Sequence, residues 1–299
     1  MNDAIRLVHF SDVHLTARPL GWTWPDWFGK RLSGFYNNHL SARSQRFRQA
    51  ESLLTVLAAD IQARPPDGIV FSGDATTLGF LSETERTAQV LGVARSTVPG
   101  IAVPGNHDYY TRAAETSGIF ERCFAGWQQG QRLDGAPYPF AQRLGPFWLV
   151  GVNSCGGNWI PWDATGRVAD DELRRLEQLL PTLADGPRIL VTHFPVSDAR
   201  GRPERSWHRL RNLDQLLAVC DRGGVSLWLH GHRHQGYVVD DRAVAPFPVI
   251  CAGSATDAHT CCYHEYTIAG RALTGVRRRF HADQRTFAEV ERFAVPLRG

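Results

Sequence analysis

Five short polar clusters of this sequence carry the side chains that metal ions prefer. The clusters are Asp12-Val13-His14, Gly73-Asp74, Gly105-Asn106-His107-Asp108, His193 and Gly231-His232-Arg233-His234. They offer imidazole, carboxylate and amide groups but no thiolate, which disfavours a structural, cysteine-rich zinc site. This ligand set favours manganese, iron, zinc or similar ions with open coordination positions. The clusters therefore predict a catalytic metal centre.

Each polar cluster directly follows an apolar run that has the length and composition of a β-strand. The predicted strands before the clusters are residues 5–10, 68–72, 101–103, 188–192 and 226–229. Ligands of open α/β sheets gather beyond the carboxyl ends of the strands, so we expect the five clusters to converge. The glycines beside the ligands supply the backbone freedom that tight turns and a close approach to ions require.

The rest of the chain alternates strand and helix patterns, which predicts one α/β domain over residues 1–299. Ser82, with Glu85 three residues later, forms the capping-box pattern that starts a helix. The segment 109–145 has weak periodicity and is predicted as helix plus loops. The remaining predictions are helices at 47–61, 82–95, 170–183 and 212–220, a strand at 147–152, and antiparallel strands from residue 249 onward.

The composition is typical of a globular enzyme, with 43% hydrophobic and 21% charged residues. A formal net charge of +3 falls short of the basic surface of a dedicated nucleic-acid-binding protein. We therefore expect a small anionic substrate and no stable nucleic-acid complex. The six cysteines form no C-x-x-C pair, and no signal-peptide pattern precedes the first strand. These features predict a cytoplasmic protein and leave its oligomeric state open.

Taken together and in order, the motifs D-x-H, G-D, G-N-H-D, H and G-H-x-H resemble those of the calcineurin-like metallophosphoesterase superfamily. The resemblance covers about residues 5–240. It implies an α/β fold, a four-layer α-β-β-α sandwich of two mixed sheets flanked by helices. It also implies two divalent or mixed-valence transition-metal ions, manganese, iron or zinc, as cofactors.

The resemblance also implies a role for each motif residue. The implied ligands are Asp12, His14 and His234 for one ion, Asn106, His193 and His232 for the other, and Asp74 as the bridge. A bridging carboxylate offsets part of the repulsion between two dications. A hydroxide that bridges the metals would attack phosphorus in line. His107 would act as general acid or phosphate stabiliser, with Asp108 as its orienting partner.

Each assignment has a structural alternative. Taken alone, Asp12 and Asp74 are also typical helix N-caps, and His14 is typical of a surface histidine. The joint occurrence of all five clusters at strand ends favours the metal site. His230 is expected to be a strand residue that faces the sheet. The histidines expected to lie outside the site are His9, His39, His208, His259, His264 and His281.

Differences between this sequence and particular branches of the superfamily narrow the range of expected substrates. The residues after Asp74 lack the tyrosine of purple acid phosphatases and the Asp-Arg-Gly continuation of protein serine/threonine phosphatases. His193-Phe194-Pro195 resembles the bacterial cyclic-nucleotide phosphodiesterase branch, which implies a phosphodiesterase for a small substrate such as a cyclic nucleotide. The alternatives are a pyrophosphatase acting on a lipid-linked sugar nucleotide, a nuclease and a non-catalytic metal-binding scaffold. The presence of His107 disfavours the scaffold.

An aromatic insertion at about residues 20–40 separates the first cluster from the first predicted helix. It carries Trp22, Trp24, Trp27, Phe28, Lys30, Arg31, Phe35 and Tyr36. Three interpretations are open: a flap packed on the core, a lid over the substrate, and peripheral contact with a membrane surface. A second aromatic group, Trp159-Ile160-Pro161-Trp162, is expected to line the same cleft.

Overall fold

The computed structural model describes residues 4–40, 43–158, 160 and 163–298. Trp159, Pro161 and Trp162 of the second aromatic group lie outside the described residues. The strands of the described chain are β1 (Ile5–Phe10), β2 (Gly68–Phe71), β3 (Gly100–Ala102), β4 (Gln131–Arg132), β5 (Phe140–Leu144), β6 (Phe147–Gly151), β7 (Arg188–Val191), β8 (Val225–His230), β9 (Gly236–Val239), β10 (Val249–Ala252), β11 (Cys262–Ala269), β12 (Ala272–His281) and β13 (Thr286–Pro296). The α-helices are α1 (Lys30–Leu40), α2 (Arg43–Arg46), α3 (Ala50–Ala63), α4 (Leu81–Leu91), α5 (Arg112–Thr116), α6 (Ile119–Cys123), α7 (Asp170–Leu179) and α8 (Leu213–Arg222).

The strands form two mixed sheets. The first sheet has the order β13-β12-β11-β1-β2-β3, in which β1, β2 and β3 are parallel and β11 to β13 are antiparallel. The second sheet has the order β4-β5-β6-β7-β8-β10-β9, with β6, β7, β8 and β10 parallel. Helices α3 and α4 contact each other, as do α7 and α8. The predicted fold class, two mixed sheets flanked by helices, is confirmed.

Both faces of the parallel strands are buried, which explains their nearly continuous apolar sequences. On β1, Leu7 belongs to one apolar core together with Ile189 of β7 and Leu227 of β8. The next residue, Val8, belongs to a second core that includes Leu54 of α3. Alternate side chains of one strand therefore pack against the opposite sheet and against the helices, which fixes the positions of the strand ends.

The second predicted helix begins at a different residue from the one its sequence pattern indicated. Helix α4 runs from Leu81 to Leu91, and the cap residue is Phe80 rather than Ser82. The carboxylate that reaches back to the backbone belongs to Glu83, which accepts the N–H groups of Leu78 at 2.9 Å and Phe80 at 3.1 Å. The predicted capping box of Ser82 and Glu85 is therefore wrong.

Strand pairing differs from the prediction in two places. The segment predicted as helix plus loops contains α5 and α6, but it also contains strands β4 and β5 at the edge of the second sheet. The C-terminal strands were predicted to be antiparallel throughout, yet β10 pairs in parallel with β8 and antiparallel with β9. These pairings join residues that are distant in sequence, so local periodicity does not encode them.

Glu83 provides a test of the loop that leads into α4. Burial raises the pKa of the Glu83 carboxyl to about 8 from its ordinary value of 4.5. Between these values the folded state retains a proton that the unfolded state has lost, so the free energy of unfolding falls as the pH rises. Glu83→Gln removes this titration, and we expect its stability relative to the wild type to increase by a few kcal/mol between about pH 5 and about pH 8.

Urea denaturation at the two pH values measures this difference. Glu85→Gln on the same helix is the matched control, because Glu85 is exposed. A difference between Glu83→Gln and wild type that does not change with pH would contradict the prediction.

Candidate metal centre

Four of the predicted ligands form a compact group at the carboxyl ends of β1, β2 and β8. Asp12, His14, Asp74 and His234 each contribute one potential ligand atom, and these atoms lie within 4.8 Å of one another. The Nε2 atoms of His14 and His234 are 2.9 Å apart, and Asp12 Oδ1 lies 3.2 Å from His234 Nε2. The group is a possible metal-binding site built from both sheets.

The other three predicted ligands form a second group beside the first. Asn106 Oδ1 lies 3.1 Å from His193 Nε2 and 3.0 Å from His232 Nδ1. The two imidazole nitrogens are 3.3 Å apart. These residues follow β3, β7 and β8, so this group also draws on both sheets.

The carboxylate of Asp74 lies between the two groups. Its Oδ2 is 3.5 Å from His14 Nε2 and 3.4 Å from His193 Nε2. A carboxylate oxygen at nearly equal distances from both imidazole groups is placed where a bridging ligand of a two-metal site would lie. All seven predicted ligands thus converge on one place.

The backbone at the candidate ligands has an unusual conformation. Among the described residues, seven that are not glycine have a positive φ, and five of these are Asp12, His14, Asp74, His232 and His234. Left-handed backbone disfavours residues with a Cβ atom and clusters at functional sites. The fold keeps these five residues in a strained backbone conformation, which indicates that the placement of their side chains is worth more than the cost of the strain.

The donor atoms fit the ions that the motif resemblance implies. Asp12 Oδ1 is buried and lies 3.2 Å from His234 Nε2, but it makes no hydrogen bond among the described residues, although a buried carboxylate oxygen normally does. His14 Nδ1 and His193 Nδ1 donate to the carbonyl oxygens of Thr76 and Ser72, at 3.2 Å and 2.8 Å. Carbonyl oxygens only accept, so these contacts direct the Nε2 atoms toward the cluster, as in metal-ligating histidines.

Opposite charges compensate one another in the core of the site. Burial raises the pKa of Asp74, but the positive charges of His193, His107 and His14 outweigh this effect and hold it well below its ordinary range. Burial lowers the pKa of His193, but the negative charge of Asp74 outweighs it and raises the value to about 9. A metal ion that binds His193 Nε2 would have to displace this proton.

His107 and Asp108 connect the third cluster to the other loops. His107 Nδ1 donates to the Thr77 carbonyl at 2.7 Å, and the His107 backbone N–H donates to Asp74 Oδ1 at 2.7 Å. The Asp108 carboxylate accepts the backbone N–H groups of Asp74 at 2.9 Å, Gly105 at 2.8 Å and Thr76 at 3.1 Å. These contacts make Asp108 a positioning residue for the loops, whereas its predicted role as the partner of His107 stays a prediction.

A pocket of about 280 Å³ opens onto both groups of candidate ligands. Its walls are formed by Arg46, Asp74, Asn106, His107, Ala164, His208, His232, Arg233 and His234. His208 was expected to lie outside the site, but it lines the pocket, and its ring centroid lies 6.3 Å from that of His232. Arg233 falls inside the G-H-x-H motif, whereas no sequence signal marks Arg46.

The aromatic insertion is anchored beside the site. The Trp22 ring lies 5.2 Å from Phe80, and Arg31 donates to the Leu78 carbonyl at 3.1 Å. Lys30 Nζ lies 4.7 Å from the ring centroid of Tyr110, whose ring stacks on His107 at 5.4 Å. The base of the insertion therefore packs on the loop after Asp74 and reaches the neighbourhood of His107.

The outer part of the insertion is exposed. Its 3₁₀-helix, Trp24–Phe28, leaves Trp24 77% and Phe28 74% exposed, and their rings pack together at 5.2 Å. The insertion is thus a packed flap at its base and an apolar surface at its tip. None of the described helices combines the length and the apolar character that crossing a bilayer requires.

Known proteins are similar to this chain in sequence or in fold. The family model of calcineurin-like phosphoesterases matches residues 5–236. A Pseudoalteromonas protein named "Probable cyclic nucleotide phosphodiesterase" is 25% identical over 236 residues, covering 78% of this chain and 72% of that protein. The glycerophosphodiester phosphodiesterase GpdQ of Enterobacter lignolyticus is 29% identical over 170 residues, and this match spans 56% of either protein.

Solved structures show the same architecture at low sequence identity. A dimetal phosphatase from Danio rerio has a TM-score of 0.66 at 15% identity, over 98% of this chain and 99% of that one. A purple acid phosphatase from yellow lupin has a TM-score of 0.63 at 14% identity, over 99% of this chain and 54% of that one. The chain belongs to the calcineurin-like phosphoesterase family. It is a metal-dependent phosphoester hydrolase.

Gly105 provides a test of the packing around Asp74. A Cβ atom at Gly105 would collide with the carboxylate and the backbone nitrogen of Asp74. We expect Gly105→Ala to displace Asp74, to weaken metal binding and to destabilise the fold by about 1–3 kcal/mol. Manganese titration and thermal unfolding measure the two effects.

Gly156→Ala is the matched control for Gly105→Ala. The nearest atom to a Cβ at Gly156 is Glu115 Oε1, at an ordinary contact distance of 3.8 Å. Manganese affinity at the wild-type level in Gly105→Ala would show that the close approach of the two loops is not needed for metal binding.

Proposed function

We propose that this hydrolase is a phosphodiesterase that acts on a small phosphodiester such as a cyclic nucleotide. The observation that carries the proposal is a pocket of about 280 Å³ that both groups of candidate ligands share with His107. Its volume is close to the lower end of the range for small-molecule sites, roughly 300–1,000 Å³. The names of both sequence relatives support a diester substrate.

The proposed metal ligands are the seven residues that converge at the strand ends. We assign Asp12, His14 and His234 to one ion, Asn106, His193 and His232 to the other, and Asp74 to both. Nitrogen and oxygen donors without thiolate suit manganese, iron or zinc. When bound, such ions supply Lewis-acid polarisation of the phosphoryl group and lower the pKa of water.

The hydrogen bonding of His107 supports a role in proton exchange with the substrate. Its Nδ1–H is held by the Thr77 carbonyl, so Nε2 is the nitrogen that can carry the exchangeable proton. The ring of Tyr110 stacks on the imidazole of His107, and the Asp74 carboxylate accepts a hydrogen bond from the His107 backbone N–H. We assign His107 the protonation of the leaving oxygen, which a fixed and correctly oriented imidazole performs well.

Hydrolysis of nitrophenyl esters by the manganese-loaded enzyme tests this function. We expect faster turnover of bis(p-nitrophenyl) phosphate than of p-nitrophenyl phosphate. His107→Ala should lower turnover by about 10²- to 10⁴-fold with manganese still bound, because only the proton donor is lost. Asp74→Ala should abolish manganese binding at both positions, because it removes the oxygen shared by the two groups.

His281→Ala is the matched control, since His281 is exposed on β12. A preference for the monoester would overturn the diesterase proposal and leave the metal site intact. An Asp74→Ala variant that binds manganese and turns over diester like the wild type would overturn the ligand assignment.

The exposed tip of the insertion favours a second candidate substrate, a lipid-linked diphosphate at a membrane surface. Exposed tryptophan and phenylalanine beside basic residues are typical of interfacial contacts. We expect wild type to co-sediment with liposomes that contain anionic lipid, and the double variant Trp24→Ala, Phe28→Ala to lose this binding. Val290→Ala, which alters an exposed apolar residue of β13, is the control. Equal sedimentation of all three proteins would contradict membrane contact through the insertion.

We also propose a cytoplasmic location. All six cysteines lie among the described residues, and each is a free thiol. Unpaired thiols are typical of a reducing compartment.

A further inference from the structure

Arg46 brings a positive charge to the metal centre from outside the sequence motifs. It is the last residue of α2, which follows the aromatic insertion, and it lines the same pocket as His107 and His234. The next residue, Phe47, packs its ring against His14 at 4.6 Å and His234 at 5.5 Å. Phe47 thereby fixes the backbone of this segment to the first group of candidate ligands.

The guanidinium of Arg46 is held by Asp257. Asp257 is fully buried, and its Oδ2 accepts a hydrogen bond from Arg46 Nη2. Its Oδ1 accepts the backbone N–H of His259 at 3.0 Å, and its own N–H donates to Ser254 Oγ at 3.0 Å. A buried carboxylate is costly without a partner, so this ion pair holds the guanidinium in place.

The same carboxylate faces the candidate ligand His234. Asp257 Oδ2 lies 4.0 Å from His234 Nδ1, while His234 Nε2 faces Asp12 Oδ1 at 3.2 Å. A carboxylate behind the outer nitrogen of a metal-ligating histidine orients its ring. Asp257 therefore contacts one residue that points into the pocket and another that belongs to the metal centre.

Arg46 has donors that Asp257 does not use. Only its Nη2 bonds to Asp257, and its side chain is 36% exposed and lines the pocket. A guanidinium carries five N–H donors in a fixed plane, and this geometry matches the oxygens of a phosphate group. An arginine that is held by Asp257 and lines the pocket is preorganised for an anion.

We propose that Arg46 forms an anion subsite beside the metal centre that binds a phosphoryl oxygen of the substrate, and that Asp257 positions both Arg46 and His234. The inference rests on the proposed function and adds to it a substrate-binding residue from the segment after the insertion. Arg46 acts by direct contact with the substrate. Asp257 is a positioning residue that acts through its two neighbours.

Three variants of the full-length, manganese-loaded protein separate these roles. Arg46→Gln should weaken the binding of inorganic phosphate, measured by calorimetry, by roughly tenfold or more and leave manganese affinity unchanged. It should also raise KM for bis(p-nitrophenyl) phosphate, and Arg46→Lys should recover part of the loss. Asp257→Asn should weaken both phosphate binding and manganese binding, the latter by roughly tenfold or more.

Arg48→Gln is the matched control, because Arg48 is an exposed arginine two residues along the chain. Phosphate affinity in Arg46→Gln equal to that of Arg48→Gln would overturn the subsite. Normal manganese affinity in a folded Asp257→Asn would overturn the positioning role toward His234. If the wild type hydrolyses neither nitrophenyl ester, the proposed function fails, whereas the phosphate calorimetry still decides the subsite.

Discussion

The carboxylate of Asp108 holds together the two loops on which the candidate site depends. It is buried, and it accepts backbone N–H groups from the loop after β2 and from the loop after β3. The first loop carries Asp74, and the second carries Asn106. A carboxylate that accepts several backbone N–H groups links the backbones of the two loops directly. The loop after β1 joins the same assembly, because the N–H groups of Val13 and His14 donate to the Asp74 carbonyl at 2.8 Å and 3.0 Å.

Much of the site is encoded locally, which is why the sequence predicts it. Each candidate ligand stands directly after an apolar run, and the burial of both faces of the parallel strands makes those runs easy to see. The order of the five motifs then predicts the convergence of residues as distant as Asp12 and His234. The left-handed backbone at these positions adds physical evidence that the sequence pattern cannot contain.

Features that depend on distant partners were not predictable. Ser82 and Glu85 match the capping-box pattern. The loop after Asp74 nevertheless places Phe80 at the cap, and the buried Glu83 carboxylate accepts the Phe80 backbone N–H. The parallel pairing of β10 with β8 is set by the sheet and not by the sequence of β10. Arg46 belongs to no motif, because its place at the pocket depends on Asp257, 211 residues further along the chain.

The two sheets contribute jointly to both groups of candidate ligands. The loops after β1, β2 and β3 come from the first sheet, and those after β7 and β8 come from the second. Below these loops, the facing sides of the sheets share one apolar core, whose hydrophobic stabilisation is not directional. Coordination is directional, so an ion held by the proposed ligands would link the loops of the two sheets. With these ligands, the same atoms would serve both the hydrolytic chemistry and the alignment of the two sheets.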